Sequence, residues 1–366
     1  MREKNFNAPP ALPSQITSHS SRLKILILKP SSLGDVIHAL PVLRLLKLHF
    51  PTSEIFWWID SSLAPLIADD PDLTGIIRFE RQRWGKPRHW PEMLRSIHGL
   101  RANQFDLVID LQSLLRSAAF AWLARGKFLA GLDDPREGAN AFYDLAVPRK
   151  NFQTHAVDWY LSVLPPLGVP VHKNFAWLPE RKPIAADVNQ KWFSENSKLK
   201  TQNSKLILLQ PGARWENKRW PAEHFATLVH ALGKKIPTAR FAVLGGKDDS
   251  PHGEKISAAA PEKVLNLCGV TSLPEMIELV RRCDLLVTND TGPMHVAAAL
   301  GRPLLALFGP TAAERTGPHG QLPNVLRVPL PCAPCMKSIC HFEKPQECLR
   351  ALSPDLVLRR VQAIFS

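Results

Sequence analysis

The chain has 366 residues, and at ~150 residues per domain this length sets an expectation of two domains. Hydrophobic residues make up 45% and charged residues 22%, which excludes general disorder and leaves apolar material for two cores. The net charge of +13 divides into +6 over residues 1–185 and +7 over 186–366, so no basic tail owns the excess, and its partner could be nucleic acid, an anionic membrane or an acidic small molecule.

Residues 1–22 are polar and rich in Pro and Ser, without an apolar segment of signal-peptide type, and read as a disordered tail of a cytoplasmic protein. No run approaches the ~20 apolar residues of a membrane-spanning helix. From Lys24 onward, short apolar strands alternate with amphipathic helices. Lys24–Lys29, Glu54–Ile59 and Asp106–Leu111 read as buried parallel strands, with a helix over Val36–Phe50. Lys205–Gln210, Arg240–Leu244, Asp284–Thr288 and Pro303–Phe308 form a second strand series, with helices over Ala222–Lys235 and Leu273–Arg282. Two such series predict two doubly wound α/β domains, over 23–180 and 205–352, facing a cleft. The polar stretch 181–204 reads as a linker, and 353–366 as a C-terminal helix.

Three segments carry chemistry. The first, Lys29–His38 (KPSSLGDVIH), joins the first strand to the first helix. Ser31, Ser32 and Gly34 leave amides at a helix N-terminus, which favours anions. Asp35 suits a helix cap and equally a general base for a hydroxyl proton. The basic stretch Arg78–Arg101, interleaved with Trp84 and Trp90, is either a solvated helix face or a site for acidic ligands. The second segment, Gln210–Pro221, brings Arg214, Lys218 and Arg219 to a strand's carboxyl end, where they suit a diphosphate. In the third, Thr288–His295 (TNDTGPMH), Thr291 and Gly292 open a small-residue helix whose amides could hold a phosphate, Asp290 could orient a sugar hydroxyl, and His295 lies one turn on. The carboxylate pairs Asp69-Asp70, Asp133-Asp134 and Asp248-Asp249 fall between predicted elements and read as solvated.

Segments Lys29–Pro41, Gln210–Pro221, Asn289–Leu300 and Phe308–Thr311 together resemble the ADP-heptose:lipopolysaccharide heptosyltransferases, glycosyltransferase family 9. The resemblance runs from residue 24 to about 320. It implies the GT-B architecture of two Rossmann-like domains, an N-terminal one for a lipopolysaccharide inner-core acceptor and a C-terminal one for ADP-heptose. By resemblance Asp35 is the catalytic base, and Lys218, Arg214, Asp290, Thr291, Gly292 and His295 bind the donor. Ser32, Gly34, Arg116 and Arg136 would serve the acceptor, and Thr271-Ser272-Leu273 would line the adenine pocket. The N-terminal half is similar to heptosyltransferase I. The C-terminal half is closer to heptosyltransferase II in Gln210–Arg214, Gly245–Asp248 and the cysteine-rich tail, and Arg214 stands where heptosyltransferase I has threonine. The implied reaction is inverting displacement without a required cofactor, at the inner face of the inner membrane.

Cys332, Cys335, Cys340 and Cys348 are spaced C-x2-C-x4-C-x7-C, which allows either a structural zinc site or unliganded thiols closing a loop. Cys268 and Cys283 lie in apolar context. The charge is spread over both halves and no helix-turn-helix, RNP-type or zinc-finger pattern stands out, so nucleic acid is not the expected partner.

Overall fold

The computed structural model describes residues 22–194, 197–199 and 203–365. The expected tail lies almost wholly outside the described residues. The chain divides into two units, one up to Trp177 and one from Leu178.

The first unit is built on six parallel strands, β1 (Lys24–Leu28), β2 (Glu54–Asp60), β3 (Gly75–Phe79), β4 (Leu107–Asp110), β5 (Phe128–Asp133) and β6 (Leu145–Pro148), in the order β3-β2-β1-β4-β5-β6. This is the doubly wound order 3-2-1-4-5-6, and its switch point lies between β1 and β4. There Ile25 pairs with Leu107 and Leu28 with Asp110. Four helices matter to the site: α1 (Leu33–His49), α2 (Trp90–Ala102), α3 (Leu115–Leu123) and α4 (Ala156–Leu161). α1 starts at Ser32, whose backbone N–H donates to Asp35, the third helical residue, in a capping box. Pro51 follows its C-cap, Phe50, where a helix cannot continue. α1 is buried on nearly every side because α4 packs along it. Around the sheet an aromatic cluster of Trp58, Phe79, Trp84 and Phe120 fills the core, with ring centroids 4.3–5.9 Å apart. Each such buried ring contributes about 1.5–3 kcal/mol through burial.

The second unit repeats the plan. Helix α5 (Lys182–Trp192) precedes β7 (Lys205–Gln210), α6 (Ala222–Lys235), β8 (Ala239–Val243), α7 (Ser250–Ser257), β9 (Val264–Asn266), α8 (Leu273–Arg282), β10 (Leu285–Asn289), α9 (Gly292–Ala299), β11 (Leu304–Leu307), β12 (Val325–Leu326) and α10 (Pro354–Phe365). The strand order β12-β11-β10-β7-β8-β9 is the same doubly wound order, with its switch point between β7 and β10.

Two organisational expectations change. Residues 182–192 are helix rather than linker: α5 packs on α8, Lys191 pairs with Glu275 at 2.5 Å, and Arg282 donates to the Ala185 carbonyl at 2.8 Å. Of the low-complexity stretch 195–204, residues 195, 196 and 200–202 lie outside the described residues. The C-terminal helix α10 is part of the second unit, buried on α6 through Val357 and Val361.

The carboxylate pairs are not simply solvated. Asp70 is buried against Arg44, which also reaches Asp72 at 2.6 Å. Asp134 is buried under Arg136 at 2.7 Å, and Asp249 accepts the Gly246 N–H at 3.0 Å. An unpaired carboxylate cannot be buried cheaply, so the arginine or amide partner decides each case. Asp249 also explains Gly212, where a Cβ would stand 2.2 Å from its carboxylate.

Candidate active site

In the first unit, β1 ends at the switch point and delivers Lys29 and the loop to α1. Asp35 is half-buried and held through both oxygens. Ser32 donates to Oδ2 from its N–H at 3.0 Å and from its hydroxyl at 2.9 Å, and Tyr160 of α4 donates to Oδ1 at 3.1 Å. Lys29, 3% exposed, donates to the Leu111 carbonyl at 3.0 Å and stands over the Tyr160 ring at 4.6 Å. Burial opposes the charge on Asp35, but Lys29 and the hydrogen bonds from Ser32 and Tyr160 outweigh it, and the carboxyl pKa falls below its ordinary value. Burial lowers the Lys29 ammonium pKa, with Asp35 and Asp110 opposing. Burial drives the Tyr160 hydroxyl well upward, with Asp35 adding to it, so the phenol stays a donor. Asp35 therefore both caps α1 and stands as a fixed carboxylate at the strand ends.

Beside this loop a cavity of about 230 Å³ is lined by Ser31, Arg81, Gln112, Arg116, Ser117 and Glu137 among others. Asp110 lies beneath, fully buried, accepting from Tyr143 at 2.9 Å and from the Gln112 N–H at 2.8 Å. Burial raises its pKa despite those bonds.

In the second unit, β10 ends at Asn289 and Asp290. Asn289 is buried, accepting the Trp220 N–H at 3.1 Å and donating to the Pro211 carbonyl at 2.7 Å, which ties loop 211–219 to β10. Asp290 Oδ2 accepts from Lys218 Nζ at 2.7 Å and from the Thr311 hydroxyl at 2.6 Å. Lys218 also lies over the Trp215 ring, 4.5 Å from its centroid. Thr291 is the extended N-cap of α9, and its hydroxyl makes no capping bond. The first turn of that helix, with its amides at the β10 end, is only half-buried.

Residues 93–345 match glycosyltransferase family 9 (heptosyltransferase). That span is well over half of the chain. The chain belongs to glycosyltransferase family 9. As a member it is a transferase with the GT-B architecture. It is 29% identical to lipopolysaccharide heptosyltransferase 1 of Pseudomonas aeruginosa, over 94% of this chain and 98% of that enzyme. It is 30% identical to lipooligosaccharide heptosyltransferase 2 of Haemophilus influenzae, over 84% of this chain and 89% of that enzyme. Among solved structures, ADP-heptose LPS heptosyltransferase II of E. coli superposes with a TM-score of 0.73 at 25% identity, covering 93% of this chain and 98% of that one.

Within this family 9 chain, the structure gathers some of the expected residues and separates others. Lys218 and Asp290 meet directly, Thr291 and Gly292 follow on the same strand-helix turn, and His295 is buried one turn on. Arg214 makes no bond to that pair and lines a cavity that neither Lys218 nor Asp290 lines. Ser32 caps α1, Gly34 and Asp35 lie in its first turn, and Arg116 lines the small cavity. Arg136 does not line it; it folds back on Asp134. Ser272 caps α8, exchanging hydrogen bonds with Glu275. The basic stretch is split: Trp84 is core, Arg83 pairs with Glu92 at 2.8 Å, Arg101 donates to the Leu123 carbonyl, and Arg81 turns to the small cavity.

Among the described residues no three His, Cys, Asp or Glu side chains are gathered as a ligand group. All six cysteines are free thiols, and burial pushes Cys348 up to about 11, with neighbouring Cys340, Cys332 and Cys335 adding to it. Burial carries Cys268 and Cys283 up to about 12.

Tyr160 and Thr311 are the residues that the motifs left unassigned. Thr311 stood inside the Phe308–Thr311 segment, and its hydroxyl chemistry could have marked it. Nothing local marked Tyr160, whose partner is 125 residues away.

Proposed function

We propose that this enzyme moves heptose from ADP-heptose to the inner core of lipopolysaccharide, inverting the anomeric carbon. The observation that carries the reading is a fixed, ionised Asp35 in the first turn of α1, in a chain similar over 94% of its length to a lipopolysaccharide heptosyltransferase. Asp35 accepts the proton of an acceptor hydroxyl. The freed oxygen forms a bond to the anomeric carbon as that carbon's bond to the diphosphate oxygen breaks. The electron pair of the broken bond leaves with ADP, whose growing charge Lys218 and the Thr291 and Gly292 amides are suited to meet. Donor diphosphate would compete with Asp290 for Lys218, leaving Asp290 to a sugar hydroxyl. Because a side-chain cation and amides neutralise the leaving group, the reaction needs no cofactor. Arg116 and Arg81 suit the anionic inner-core sugar.

We place the enzyme in the cytoplasm, peripherally on the inner membrane. Trp90 and Leu94, one turn apart on α2, are 52% and 61% exposed beside the exposed bases Lys86, Arg88 and Arg95, a composition suited to an anionic lipid surface. No described helix is long and apolar enough to cross a membrane.

A donor screen tests the function. With deacylated lipopolysaccharide core as acceptor, ADP-heptose should release ADP, and Asp35→Ala should abolish release while still binding ADP. Preferential use of another nucleotide sugar would assign a different family 9 reaction. Salt-sensitive duplex DNA binding without nucleotide-sugar binding would overturn the enzyme reading.

A further inference from the structure

Loop 211–219 sends its cations to two places. Lys218 turns to Asp290, whereas Arg214 and Arg219 line a separate cavity of about 900 Å³ in the second unit. The cavity lies against Trp220 and the first turn of α6, with α7 and the segment around Gln346 and Arg350 completing its wall. Lys218, Asp290, Thr291 and His295 do not line it. Four basic side chains, Arg214, Arg219, Lys255 and Arg350, share the lining with two carboxylates, Glu216 and Glu223. Glu223 is already taken by Lys255, and Arg219 leans on the Ala213 carbonyl at 2.9 Å and on Asp249 at 4.0 Å. The side chains of Arg214 and Arg350 have no hydrogen-bond or ion partner among the described residues, and both are exposed.

Two imidazoles share this wall. His224 and His252 each have a buried Nδ1 without a partner among the described residues, so Nε2 is the nitrogen left to meet a ligand. The His224 ring is set by an edge contact with Trp220 at 5.3 Å. Unengaged guanidiniums present paired donors that match phosphate oxygens, and imidazole edges add further donors when protonated. The volume is that of a small-molecule site rather than of a lone ion.

We propose that this cavity is a second anion site, taking a small phosphorylated molecule independently of the nucleotide-sugar site. Arg214 and Arg350 hold the phosphoryl group, and His224 and His252 flank it. Arg214 then serves this ligand and not the donor, which accounts for its separation from Lys218. The ligand's phosphate is either that of a soluble phosphoester or that of a lipid headgroup.

Equilibrium dialysis of pyrophosphate against the full chain, with ADP held at saturation, isolates the site. Wild-type protein is expected to bind one pyrophosphate per chain under these conditions, and Lys218→Ala to keep that binding. Arg350→Gln, and Arg350→Gln combined with His252→Ala, should weaken it by about tenfold or more, the loss of a hydrogen bond to a charged group, while leaving ADP affinity and thermal midpoint unchanged. Displacement of all pyrophosphate by ADP, or unchanged binding in both Arg350 variants, would overturn the proposal. Vesicles of phosphatidylcholine with about 20% phosphatidic acid divide the two sources: displacement of pyrophosphate by them identifies a headgroup, and persistence identifies a soluble phosphoester. Loss of heptose transfer does not enter this readout, so the second site and the proposed reaction stand or fall separately.

Discussion

Tyr160 donates its hydroxyl to Asp35 Oδ1 across 3.1 Å, from a helix 125 residues further along the chain. Ser32 occupies the other oxygen. The carboxylate thus has its plane set before any acceptor arrives, with three of its roughly four acceptor positions already filled. Tyr160 does not touch the reacting atoms in this arrangement; it positions the group that does. Tyr160→Phe keeps the ring that packs on α1 and under Lys29 and removes one hydrogen bond to a charge. Turnover should fall by about tenfold with donor KM unchanged. The same variant should move the acid limb of the pH profile upward, because that hydrogen bond helps hold the Asp35 pKa down. A uniform loss at every pH would mark Tyr160 as packing alone.

The acid side of catalysis follows from Lys29. The folded-state pKa of Asp35 lies below its ordinary value, so the base stays ionised as pH falls and activity is lost only below the usual Asp range near ~3.9. The stability contribution has the same sign: full above the ordinary value, lost as pH falls through the lowered one. Lys29→Met removes the cation and leaves the opposing burial. The acid limb of kcat/KM should then shift to higher pH, and stability at pH 7 should fall. Profiles of both enzymes from about pH 2.5 to 8, taken within each enzyme's stable range, decide this, and a limb that does not move would remove Lys29 from the base's environment.

The sequence made the central strands legible and the edges less so. β7 and helices α6 and α8 match their expected spans because Leu- and Ile-rich runs buried on both faces, and strong amphipathic periodicity, leave little choice. Expected strands did not include β3, β6, β9 and β12, all at or near sheet edges, short and only partly buried, nor β5, whose Gly131 gives way to the Tyr143 ring. The turn at the end of β10 was legible because Asp290, Thr291 and Gly292 are consecutive. Asp35 was legible as a position but not as a choice between cap and base; the structure has one of its oxygens in the capping box of α1 and the other on Tyr160. Three cations in one loop look like one site in the sequence, whereas in the structure Lys218 meets Asp290 and Arg214 and Arg219 line another cavity.

Lys218 and Thr311 meet on the same oxygen of Asp290, so their loss should not be equivalent. Lys218→Ala removes a preorganised cation and should lower turnover by ~10²–10³-fold while weakening ADP binding. Thr311→Ala frees one lone pair of Asp290 and leaves the cation in place, so ADP affinity should hold and turnover fall less. Calorimetric ADP titration with steady-state rates for both variants separates them; equal defects would dissolve the distinction.

Arg44 provides the strongest stability prediction. It is buried on α1, joined to Asp70 at 2.5 Å, to Asp72 at 2.6 Å and to the Trp177 carbonyl at 3.1 Å. Burial works against the guanidinium charge, but the two carboxylates outweigh it and raise its pKa. Asp70→Ala leaves that cation in the core with the half-exposed Asp72 as its remaining anion. Breaking a buried pair on one side costs about 3–5 kcal/mol, whereas replacing both partners by apolar residues is often close to neutral. Asp70→Ala should therefore lower the urea midpoint strongly, and adding Arg44→Met should recover much of the loss. Transfer per folded molecule should be unchanged in both, because Arg44 lies in α1 nine residues beyond Asp35 and touches none of its partners. A double variant no more stable than Asp70→Ala alone would mean that Arg44 holds the fold chiefly through the Trp177 carbonyl and Asp72, and that the Asp70 pair is the lesser part.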